Sequence, residues 1–150
     1  TVVDDSEQYE LGTEWYMDAG EAEALDSTVK GPQQWVYVKA TAALAEGEIA
    51  AIADGTANYE VKLAAVNSSS KSLIGVAQHA IGLDKYGWIL QKGFGEVNGD
   101  SVGFSANTAL IVGATAGAAA DLAAAIDGQA FAHATEDAAA TALGTCFINI

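Results

Sequence analysis

Two histidines, one cysteine and a set of large aromatic residues are the side chains of this sequence that could do chemistry. His79, in Ile74-Gly75-Val76-Ala77-Gln78-His79-Ala80, and His133, in Gln129-Ala130-Phe131-Ala132-His133-Ala134, occupy similar apolar contexts. A histidine pair can hold a metal ion or move a proton near neutral pH. If the two segments are copies within a repeat, however, the histidines sit at equivalent but separate corners, each hydrogen-bonded to backbone beside a turn. Cys146 lies in Gly144-Thr145-Cys146-Phe147-Ile148-Asn149-Ile150, which reads as a terminal strand. One cysteine cannot build an intrachain disulfide framework, and in that run it reads as a small buried hydrophobe rather than a reactive thiol.

The remaining motifs fall short of a reaction. The serines gather in loops without a nucleophile-elbow pattern. Gly93-Phe94-Gly95 followed by Gly99 misses the dinucleotide spacing, and Gly113 to Gly117 lacks the lysine and hydroxyl of a phosphate loop. Asp4-Asp5 and Asp54-Gly55 do not supply acidic ligands at alternating positions, as a calcium loop does, although a calcium ion shared between chains stays compatible with the charge. The expectation is a chain with no catalytic residue, no cofactor and no metal site of its own, and so not an enzyme. The aromatics offer a different route. An aromatic stripe on a strand ordinarily belongs to a core, but exposed tryptophan and tyrosine anchor protein interfaces and also stack on sugars. Tyr9, Leu11, Trp15, Tyr16, Trp35 and Trp88 are the candidate interface residues on this reading.

The charge narrows the partners. Twenty acidic residues against six basic ones give a net charge of −14, a field that repels phosphate and so disfavours nucleic acid and anionic membrane surfaces. Residence on an outer surface facing salt water, or a halophilic source, accounts for such acidity. No apolar run approaches the roughly 20 residues of a membrane-spanning helix.

These residues need elements to position them. Residues 1–30 are crowded with acids from Asp4 to Asp26, yet carry Tyr9, Leu11, Trp15, Tyr16 and Met17, and read as an extended acidic N-terminal arm or edge segment with apolar anchors. Glu21 to Leu25 suits one helical turn. After Gly31-Pro32, residues 31–150 form one β domain. Gln34 to Ala40 is a strand with Trp35, Tyr37 and Lys39 on one face. Ile49 to Ile52, Tyr59 to Leu63, Leu73 to Ala77, Trp88 to Gly93, Phe94 to Val97, Ser101 to Ser105 and Leu110 to Val112 are further short strands. Asp54-Gly55 is a hairpin signal, Asn67 to Ser70 a loop, and Asn98-Gly99-Asp100 a turn. Gly113 to Gly128 is alanine-rich. It reads as a hairpin turning at Ala116-Gly117, with a helix over Ala118 to Ile126 as the alternative. Turn signals every 8–12 residues or so point to an all-β fold, a small antiparallel sandwich or barrel of jelly-roll-like form.

Several segments, taken in order, resemble a family of tailed-bacteriophage virion proteins, the capsid decoration or cement proteins. They are Tyr9-Glu10-Leu11-Gly12-Thr13, then Trp35 to Ala40 leading through Ala43-Leu44-Ala45-Glu46-Gly47-Glu48 into a strand. Ile74-Gly75-Val76-Ala77 follows, with Tyr86 to Gly93 after a loop, and then an alanine-rich hairpin and a closing strand. The resemblance implies an all-β, often oligomeric protein seated on the outer capsid surface, and the expectation drawn from it is a homotrimer. There it binds the major capsid protein and stabilises the shell by bridging subunits. The acidic stretch between Thr13 and Trp35 is longer than the resemblance leads one to expect. A virion-surface glycan-binding or host-adhesion module using exposed aromatics is the alternative.

Overall fold

The structure is a computed structural model, and it describes residues 3–25, 31–53, 59–66, 72–122 and 130–150. Its described elements are the strands β1 (Glu14–Met17), β2 (Gln33–Ala40), β3 (Ile49–Ile52), β4 (Glu60–Leu63), β5 (Leu73–Val76), β6 (Tyr86–Asn98), β7 (Ala109–Val112), β8 (Ala119–Asp121), β9 (Ala132–Ala134) and β10 (Leu143–Asn149), with one helix, α1 (Ala19–Leu25). The fold is all-β, and of the two architectures expected it is the barrel.

Strand order runs β1-β2-β4-β3-β5-β6-β10-β9-β7-β8, and a further β2–β6 pairing closes β2, β4, β3, β5 and β6 into a five-stranded ring. A second ring follows the same plan. β6, β10, β9, β7 and β8 pair in turn, and the parallel bridge Gly99↔Ala119 closes them. One pairing in each ring is therefore parallel, β2 with β4 in the first and Gly99 with Ala119 in the second. All other strand pairings are antiparallel.

The repeat seen in the sequence is real, but its register differs. Leu44↔Ile81 in the first ring is matched by Phe104↔Ala138 in the second. The left-handed turn positions match as well, Gly47 (φ 77°) with Asn107 (62°) and Asp84 (59°) with Thr141 (58°). β5 meets β6 at Val76↔Leu90 and β9 meets β10 at His133↔Phe147, so His133 is the counterpart of Val76. His79 instead corresponds to Glu136. The echo read from the sequence aligned two histidines that the fold keeps at different positions. The larger backbone pattern of corners and closing bridges carries the true alignment.

β6 is one strand of 13 residues rather than two that break at Gly93. The pairing with β2 slips between Gln34 and Trp35, which face Lys92 and Leu90 and leave Gln91 as the bulged residue. A bulge exchanges the faces of a strand. Before the bulge, Ile89 points into the first core with Val36, Val38 and Ile81, and Leu90 on the opposite face joins a second core; past it the faces have exchanged, and Val97 joins Leu90 there with Leu110, Cys146 and Ile148. Gly93 makes the bend possible, because its φ is 115° and a Cβ there would lie 2.6 Å from the Pro32 carbonyl oxygen.

Gly113 to Gly128 resolves as a hairpin over its described part. β7 pairs with β8 through Val112↔Ala119, and Gly117 (φ 73°) takes the turn, while residues 123–129 lie outside the described residues. The Asp54-Gly55 and Asn67–Ser70 turns lie outside them too. Ser101 to Ser105 is not a strand. Asp100, 3% exposed, accepts hydrogen bonds from the backbone of Val102 (2.8 Å) and Gly103 (3.2 Å) on one oxygen and of Ala114 (3.1 Å) on the other, and this winds the segment into a turn. Removing that acceptor strands buried N–H groups. Asp100→Ala is expected to lower unfolding free energy by about 2–4 kcal/mol, and Asp100→Asn by less, because its amide oxygen keeps the Val102 and Gly103 bonds. Urea denaturation of the three proteins measures this.

Candidate interaction surface

β2 turns Val36, Val38 and Ala40 into the first barrel, so Trp35, Tyr37 and Lys39 point outward, as strand alternation requires. An outward tyrosine on a small barrel is normally wet. Tyr37 is fully buried because residues 4–13 lie across it. Asp4 exchanges backbone hydrogen bonds with Tyr86 (2.9 and 3.0 Å). Gly12 N–H donates to the Tyr37 carbonyl, and Tyr37 N–H donates to that of Thr13, each at 2.9 Å. The Tyr37 hydroxyl donates to Asp4 Oδ2 (2.9 Å) and accepts from the Gln8 N–H (3.2 Å). Lys85 Nζ is 2.7 Å from Asp5, and that ion pair, hydrogen bond first, lowers the Asp5 carboxyl below its usual range. Burial is the main cause that pushes the Tyr37 hydroxyl up to about 12.

The strap also completes an aromatic cluster. Tyr9 meets Tyr37 and Trp88 edge-on, with centroids 5.2 and 5.3 Å apart, and Trp15 meets Trp88 at 5.8 Å. Tyr37 stacks on Tyr86 at 6.2 Å. Three of the candidate residues, Tyr9, Trp15 and Trp88, are thereby placed around one side of the first barrel. Tyr9 and Trp15 are about half exposed, Leu11 and Trp88 partly buried. Tyr16 is 64% exposed on the other face of β1. Trp35 differs. It is 6% exposed, sits in the second core cluster, and donates from Nε1 to Gln33 Oε1 (3.2 Å), so it offers the surface almost nothing. The long β6 carries the second barrel over that end of β2, which β2 alone could not reveal.

Beside this side runs a groove of about 540 Å³ lined by Tyr16, Met17, Asp18, Glu21, Pro32, Gln33, Gln34 and Lys92. Sequence reading passed over it because no motif marks it. At one end of it a capping box starts α1, where Asp18 Oδ1 accepts from Glu21 N–H (2.9 Å) and Glu21 Oε2 from Asp18 N–H (3.1 Å).

The histidines do not form a pair. His133 is exposed on β9, whereas both ring nitrogens of His79 are buried and neither has a hydrogen-bond partner among the described residues. Burial lowers the His79 pKa. Burial pushes the Cys146 thiol up to about 12, in keeping with a buried hydrophobe. Among the described residues no group of three histidine, cysteine, aspartate or glutamate side chains is placed to hold a metal ion, and no described helix is long and apolar enough to cross a membrane.

No family model matches the chain, and no curated protein sequence matches it. Among solved structures it is similar to the head fiber gp8.5 N base of bacteriophage phi29, with a TM-score of 0.58 and 18% sequence identity. The likeness covers 76% of this chain and 92% of that one. At that identity the two share a fold.

Two outcomes follow from this geometry. Tyr37→Phe removes two hydrogen bonds and is expected to cost about 1–2 kcal/mol at neutral pH. Above pH 10 the unfolded wild-type tyrosine loses its proton while the folded one keeps it to about 12. Stability therefore falls as pH rises through that window, and Tyr37→Phe should lessen the fall in denaturation curves. His79 works at the other end. Its folded pKa lies below the ordinary 6.5, so the unfolded chain binds the proton first and stability drops as pH falls below 6.5. His79→Phe should flatten that drop before the carboxylates begin to titrate.

Proposed function

We propose that this protein is a phage virion structural protein, a decoration protein that sits on the outer surface of the head and stabilises the shell by bridging major capsid subunits. The observation that carries the reading is the fold shared with the base of a phage head fibre across 92% of that base. The segments that resemble decoration proteins, Trp35 to Ala40 and Tyr86 to Gly93, fall on the paired strands β2 and β6 of the first barrel. A net charge of −14 suits the exterior, away from packaged DNA.

On this reading the protein acts as a homotrimer, and many copies each binding the assembled shell add up through avidity. A partner that binds only the assembled state stabilises it by mass action. The aromatic side of the first barrel, with Tyr9, Trp15 and Trp88 at its surface, is the docking face.

Cryo-electron microscopy of the particle that carries the protein tests this. Density on the outside of the head, where capsid subunits meet, is the expected result. Density inside the shell or only on the tail overturns it. Deletion should lower the temperature at which heads release DNA. Unchanged head stability together with lost host adsorption would favour the adhesion reading instead.

A further inference from the structure

β1 is the outer strand of the sheet and pairs, among the described strands, with β2 alone. Among the described residues its other edge has no strand partner and leaves backbone donors and acceptors open to an incoming strand. Natural edges of this kind are usually shortened or charged, and β1 is short, but it carries Tyr16 at 64% exposure beside the 540 Å³ groove. Met17 and Pro32 give it an apolar lining.

Charge decides what the groove accepts. Asp18 and Glu21 bond to each other's backbone N–H groups, which fixes both carboxylates in place without neutralising them. Lys92 is the one lysine lining the groove. Glu14 lies on β1 and accepts from the Tyr16 hydroxyl (2.6 Å). The local balance is acidic, and the field of the whole chain reinforces it. A second copy of this chain would bring another −14 charges to the same place.

We propose that the free edge of β1 and the adjoining groove dock an extended, basic segment of another protein. The segment adds as a strand beside β1, places one large apolar side chain against Tyr16 and Pro32, and sets lysine or arginine over Asp18 and Glu21. This is recognition by strand addition, with backbone pairing for affinity and alternate side chains for selectivity. It rests on the reading of the protein as a docking module, but it can fail independently of it.

The probe is a short synthetic peptide alternating leucine and lysine, with a leucine–glutamate peptide as control, titrated into isotope-labelled full-length protein and followed by NMR. Expected are shifts at Tyr16, Met17, Gln34 and Lys92 with the lysine peptide only, weakening several-fold in high salt. Asp18→Asn with Glu21→Gln keeps the cap and removes the charge, and should weaken binding, while Tyr16→Ser should abolish the response without unfolding the chain. Absence of shifts at millimolar peptide, equal binding of the glutamate peptide, or shifts centred on Tyr9 and Trp88 overturns the proposal. So does a dimer in sedimentation that Tyr16→Ser dissociates, since a second copy would then own this edge. If heads still bind the protein while the peptide does not, the proposed function stands and this inference falls.

Discussion

The structure depends on a single strand that belongs to two barrels. β6 supplies its first half to one ring and its second half to the other, and neither ring closes without it. The constraint is geometric. A strand's side chains alternate, so a straight β6 would point the same row inward or outward along its whole length. Leu90, on the outside of the first barrel, lies in the core of the second, and the bulge at Gln91 with the left-handed Gly93 switches the row so that Val97 joins it. That core draws Trp35, Ile49 and Val76 from the first barrel together with Val97, Leu110 and Ile148 from the second. Gln33, buried between them, donates to the Phe94 carbonyl (2.8 Å) while accepting from Trp35.

The acidic N-terminal strap is the second consequence of an outward row that had to be covered. Tyr37, Tyr86 and Trp88 face outward from the first ring, and residues 4–13 cover them with matched hydrogen bonds and with the Tyr9 ring. In the second ring the corresponding stretch of β6 is met by a side chain instead. Gln78 donates to the Glu96 carbonyl (2.9 Å) and accepts from the Glu96 N–H (2.8 Å). A glutamine amide mimics the peptide group it replaces, and the strand edge is satisfied without a further strand. The duplicated barrels are thus finished differently, one by an aromatic-bearing segment and one by a polar plug. The first presents an aromatic side that suits a docking role.

Much of this was legible in the sequence because it is local. The alternation in Gln34 to Ala40, the Gly117 turn and the terminal strand around Cys146 are each set by a few neighbouring residues. What escaped depends on contacts far apart in the chain. Gly93 looks like a breaker, and only the Pro32 carbonyl packed against it shows why glycine is required in mid-strand. Trp35 looks like a surface anchor until the second barrel is placed over it. The two histidines look paired because alanine-rich flanks resemble one another, whereas the repeat is defined by corner geometry at Gly47, Asp84, Asn107 and Thr141. Of the candidate interface, Tyr9, Trp15 and Trp88 converge on one side and Tyr16 lines the groove; nothing along the chain announced that groove.

If β6 makes the two barrels one structure, they must unfold together. The chain carries its own reporters. Trp15 packs on Trp88 at the aromatic side of the first barrel, Trp35 and Trp88 lie in or against the core that the two barrels share, and the one cysteine, Cys146, is fully buried on β10 of the second. Urea unfolding followed by tryptophan emission and by thiol labelling of Cys146 in the same samples reads both at once. Coincident midpoints and slopes are the predicted result. Labelling of Cys146 at urea concentrations where tryptophan emission is still native would show that the second barrel opens alone, and would contradict the account.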